Sequence, residues 1–238
     1  MTRQEFLDRF YLTYDKFNTL SSPGYTPQEI EVFASEAQEV LVITAYNTNS
    51  NRLREGFEET EKRIQDLGEL VKVATLAPLP VSPDNMPNGR FFLLPNTLLN
   101  DPTDYSDVFW FTVYEMAITD DSCSQRKTIV EINHNEYAQL LEDPFNKPNK
   151  NKVWRMRVNG RRQELITDGT YNITGYNIRY IKKPVPIVLT SNLNLPASEL
   201  SDQMHREILR RTLLIALKDT ANTERLQSEL GTDNTFLE

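Results

Sequence analysis

The chain has 238 residues, of which 39% are apolar, and a net charge of −8 from 26 basic and 34 acidic side chains. That length can bury a sizeable core, as one large domain or as a compact domain with an insertion, and the acidic excess excludes a protein that wraps nucleic acid with its whole surface. Cys123 is the only cysteine, the opening Met1-Thr2-Arg3-Gln4-Glu5 has no apolar run, and the longest apolar stretches, such as Leu213–Leu217, fall far short of a membrane span, so a soluble chain without disulfide, signal peptide or membrane partner is expected.

In chain order, Phe6, Leu7, Phe10, Tyr11, Tyr14 and Phe17 recur at helical spacing, and Ser21-Ser22-Pro23-Gly24 ends that helix. Thr26-Pro27-Gln28-Glu29 has the form of a capping box with proline at the first helical position, and Ile30, Phe33, Ala34, Ala37 and Leu41 continue a second helix. Leu53, Phe57, Thr60, Ile64, Leu67 and Val71 predict a third.

Proline at 78, 80, 83, 87, 95 and 102 then rules out long helices. Strands are predicted at Phe91–Leu94, at Val108–Ile118 (apolar on both faces, as a central strand would be) and at Lys127–Asn133, followed by a short helix near 135–142. Val153–Val158 alternates, and Asn159-Gly160 predicts a type I′ hairpin turn into a return strand over Arg161–Thr167. Tyr171–Ile181 reads as a last long strand, and a final helix as running from about Ser201 to Leu230. Helices, then strands, then a helix predict an α+β fold: terminal helices in a bundle (1–77 and 196–238) around a β-rich insertion (78–195).

Catalytic chemistry finds no motif. His134 and His205 are about 70 residues apart with no ligand partner at helical spacing, and no nucleophile elbow or phosphate-cradling glycine loop is present. Adjacent carboxylates, Asp120-Asp121 and Glu58-Glu59, point apart and form no acid–base pair by themselves. No enzyme activity, metal or cofactor is expected.

Charge is the sharper signal. Residues 1–70 hold seven basic and thirteen acidic side chains, whereas residues 150–190 hold nine basic and two acidic. Arg155 and Arg157 share one face of an alternating strand, Arg161 and Arg162 follow the hairpin tip, and Arg179, Lys182 and Lys183 lie on a later strand. Such a set is either a basic ridge for an acidic partner or for DNA phosphates, or a solvated strand face.

Three segments together resemble a phage family. Pro23-Gly24-Tyr25 through Glu29-Ile30, with Ala37-Gln38-Glu39-Val40-Leu41-Val42, is similar to the opening helices of connector proteins of short-tailed, crAss-like phages. Gly56–Arg63 with Leu67–Val71 continues the likeness, and Tyr176–Leu189 with His205-Arg206-Glu207-Ile208 resembles the final strand and closing helix. The plan also resembles the adaptor, or tail tubular, proteins beneath a portal. The resemblance implies a virion protein assembled in the host cytoplasm. It would be a self-associating ring, commonly of twelve copies, between the portal protein and the next tail or ring protein, open for DNA to pass without sequence-specific binding. Another tail, minor capsid or scaffolding-type role is the alternative, and a nucleic-acid-processing enzyme a remoter one.

Overall fold

The computed structural model describes residues 1–17, 24–47, 57–82, 84–122 and 125–219. The helix stop at Ser21-Ser22-Pro23, the Leu53 start of the third helix, Cys123 and the stretch from 220 to Leu230 lie outside them. The chain divides into two compact units, residues 71–183 and residues 1–70 with 184–238.

The first of these is a seven-stranded mixed sheet. Its strands are β1 (Val71–Leu76), β2 (Gly89–Leu93), β3 (Phe109–Thr119), β4 (Arg126–Glu131), β5 (Lys152–Arg157), β6 (Arg162–Ile166) and β7 (Ile173–Lys182), in the spatial order β1-β7-β3-β4-β5-β6-β2. Only β4 and β5 run parallel among these neighbours, and the crossover between them carries a short helix (Tyr137–Glu142), as a parallel pair requires. The sheet curls strongly. Three strands separate β7 from β6, yet the Tyr176 hydroxyl lies 2.6 Å from Gln163 Oε1, and the rings of Tyr176 and Phe92 are 5.5 Å apart. The concave side holds the main core, including Phe92, Leu165, Tyr176, Ile178 and Tyr180. On the other side Trp154, Met156 and Ile166 are covered by Tyr137 and Leu140 of the crossover helix.

The second unit holds the helices Arg3–Phe17, Pro27–Tyr46, Glu61–Leu67 and Asp202–Asp219; in chain order the five α-helices among the described residues are α1, α2, α3, α4 (Tyr137–Glu142, in the sheet unit) and α5. The capping box is formed: the Thr26 side chain accepts from the Glu29 N–H while the Glu29 carboxylate accepts from the Thr26 N–H at 2.7 Å. The inner face of α2 buries Ile30, Ala34, Ala37 and Leu41. A polar stripe on α2 clasps the extended return segment. Glu31 accepts from the backbone N–H groups of Leu189 and Thr190 at 2.6 and 2.7 Å, Ser35 from that of Ile187, and Gln38 donates to the Val185 carbonyl. A segment without its own hydrogen-bond ladder is thus satisfied by side chains one helical turn apart.

The expected α+β plan of a terminal bundle around an insertion is corrected by this architecture. The fold is β-rich, dominated by the curled sheet, with short helices and, among the described residues, a single helix after the sheet. The third predicted helix fails because its pattern is broken: α3 spans only seven residues, Gly68–Leu70 tightens into a 3-10 turn, and Val71 opens a strand. Val71-Lys72-Val73 is β-branched and alternating, and pairing with β7 outweighs the weak helical periodicity there. No helix of the described residues is long and apolar enough to cross a membrane.

Candidate interface surfaces

The basic segment is split by the sheet into buried and exposed members. Arg155, on β5, is only 6% exposed and points into the concave side. Its guanidinium meets Glu115 at 3.1 Å and Glu131 at 2.5 Å, and Glu115 in turn accepts from the Tyr176 hydroxyl at 2.6 Å. Burial alone would lower the Arg155 pKa, but the charges of Glu115 and Glu131 hold it above its ordinary value. Burial pushes Glu115 up despite the arginine. Arg155 is therefore an internal counter-ion. Its Nε has no hydrogen-bond partner among the described residues.

Arg157 shares that face but emerges to solvent, its guanidinium 5.9 Å from the Phe109 ring centre. Arg161 and Arg162 are exposed at the hairpin tip. The tip is not the predicted type I′ turn, because neither Asn159 nor Gly160 has positive φ. Instead the Asn159 side chain accepts from the N–H groups of Arg161 and Arg162 at 2.9 and 2.8 Å, making an Asx-closed loop that any residue at 160 could enter.

Arg179 is exposed on the outer face of β7, flanked in register by Val73 and Tyr114. Lys182 is buried at the end of β7, and Lys183 is half-buried beside it, donating its N–H to the Val108 carbonyl. Of the seven predicted residues, the hairpin gathers Arg157, Arg161 and Arg162 at one exposed end, Arg179 stands apart, Lys183 is half-buried, and Arg155 and Lys182 are enclosed. The enclosure of Arg155 had one signal in the sequence: Glu115 is the single charged residue of the otherwise largely apolar β3.

The remaining titratable groups do not converge. Among the described residues no group of three or more His, Cys, Asp or Glu could hold a metal ion. His134 donates Nε2–H to the Arg157 carbonyl, and His205 is buried at the start of α5.

Comparison with known proteins agrees with a scaffold rather than a pocket. The family model described as phage tail ring protein 3/4 matches residues 1–226. The chain is similar to "Ring protein 4/5" of Bacteroides phage crAss001, at 28% identity over 97% of this chain and 98% of that protein. It is also similar to "Ring protein 3" of the same phage, at 29% identity over 91% and 95%.

Proposed function

The chain belongs to the phage tail ring protein 3/4 family, and from that premise we propose that it forms a homo-oligomeric ring in the head–tail connector, between portal and tail, with a lumen open to DNA. It is a structural ring component of a crAss-like phage particle and not an enzyme. The observation that carries the connector reading is the family match along nearly the whole chain. The charge distribution supports it: an acidic stretch over 1–70 and a basic stretch over 150–190 on one subunit suit copies joined head to tail. Twelve copies, portal contact and assembly in the host cytoplasm complete the proposal. The exposed Arg157, Arg161, Arg162 and Arg179, with half-buried Lys183, are its partner-facing cations, whether the partner is protein or DNA phosphate.

The test replaces Arg161 and Arg162 by Ser. Exposed substitutions of this kind cost within about 0.5 kcal/mol of stability, whereas an interface arginine that leaves a carboxylate unpaired costs about 2–5 kcal/mol of association. The isolated variant should melt like the parent yet enter particles poorly, and raised salt should reproduce the defect. Normal incorporation with all four exposed arginines replaced would return the basic set to solvent.

A further inference from the structure

The helix α2 uses three sides. Its inner side packs the core and its polar stripe clasps the return segment, but a third side carries Glu29, Val32, Glu36, Val40 and Ile43, all exposed. These fall at i, i+3, i+7, i+11 and i+14, within about 80° of arc on a helix turning about 100° per residue. Val32 is 65% and Val40 41% exposed. A straight stripe of three β-branched apolar side chains interleaved with two carboxylates has the composition of a helix face that is covered on association.

The hairpin end of the sheet presents the complement. Val158 donates its N–H to the Arg162 carbonyl, and Arg162 is in register with Leu93 of β2, so Val158, Arg162 and Leu93 form one cross-strand row. Val158 and Leu93 are exposed apolar side chains on either side of a guanidinium, and Arg161 adds a second charge. Among the described residues neither arginine side chain has an acidic partner. The loop that holds them is fixed by Asn159, so docking would order little that is not already ordered.

We propose that the exposed stripe of α2 in one copy receives the Val158–Arg162–Leu93 row, with Arg161, of the next copy. Guanidinia meet Glu29 and Glu36, and apolar side chains meet Val32, Val40 and Ile43. This deepens the ring reading and rests on it. The contact is heterologous, since the two surfaces differ, and so propagates around a ring instead of closing on a twofold axis.

Cysteine cross-linking in particles tests it. In a Cys123→Ser background, chains carrying both Val40→Cys and Val158→Cys are assembled and treated with a short bismaleimide. The expected result is a ladder of oligomers up to the closed ring, with none from either single-cysteine chain. Charge exchange gives an independent arm: Glu36→Arg or Arg162→Glu alone should lower incorporation at least tenfold, and the two together should restore most of it. Cross-linking that stops at dimers, joins a different tail protein, or is absent from particles whose rings are visible by microscopy overturns the docking and leaves the ring reading intact. Particles without any ring of this chain overturn the ring reading itself.

Discussion

Arg155 neutralises a carboxylate that the sheet encloses. Glu131 is largely exposed and can rehydrate, but Glu115 is not. Replacing Arg155 by Met should therefore destabilise the chain by about 3–5 kcal/mol, because one buried charge is left without its partner. The paired Arg155→Met, Glu115→Leu chain should recover most of that loss. Urea unfolding of the three variants gives the cycle, and a double variant no more stable than the single would show that the network does not act as a pair. Gly160 offers a contrast. Its Cβ position is open and its φ is not positive, so Gly160→Ala should leave the melt unchanged or raise it by up to about 1 kcal/mol through lost freedom in the unfolded chain. Under a type I′ turn the same change would be costly. Asn159-Gly160 was legible as a turn but not as this turn, because asparagine can close a loop through its side chain as readily as it adopts positive φ.

At the scale of elements, the start of α5 is seated on a buried histidine. His205 Nε2 is 3.1 Å from the Ser198 carbonyl, and Nδ1 faces the Asp202 carboxylate at 3.2 Å and the Met1 ammonium at 3.1 Å. Burial holds its pKa below the ordinary 6.5, against the pull of the carbonyl and Asp202. The unfolded chain then binds a proton at a pH where the folded chain does not, so stability falls as pH drops below about 6.5 and levels off once the folded-state pKa is passed. Urea midpoints between pH 7.5 and 5 should show this decline, and His205→Gln should flatten it; an unchanged slope in the variant would assign the decline to other groups. The capping box, α2 and the hairpin strands were legible because each is written in local spacing. The short α3 and the opening of β1 were not, since Leu67 and Val71 continue a helical period that pairing with β7 interrupts. The clasp by Glu31, Ser35 and Gln38 was hidden for a related reason: its partners lie about 150 residues away, and the residues look like an ordinary polar helix face.

For the whole molecule, sequence order suggested helices enclosing an insertion, and tertiary pairing produced a curled seven-stranded sheet with short helices instead. Strand order cannot be read from composition, because β1 joins β7 and β2 joins β6 with several other strands between them in sequence. Charge asymmetry between residues 1–70 and residues 150–190, by contrast, is a property of the sequence and survives folding in the exposed members. The central claim, that copies join into a closed connector ring, is tested most directly by electron cryomicroscopy of the assembled particle with this chain traced in its density. The account predicts a closed ring of identical copies between portal and tail, each touching its neighbour through two different surfaces around an open lumen. A twofold dimer, or a position away from the head–tail axis, would contradict it.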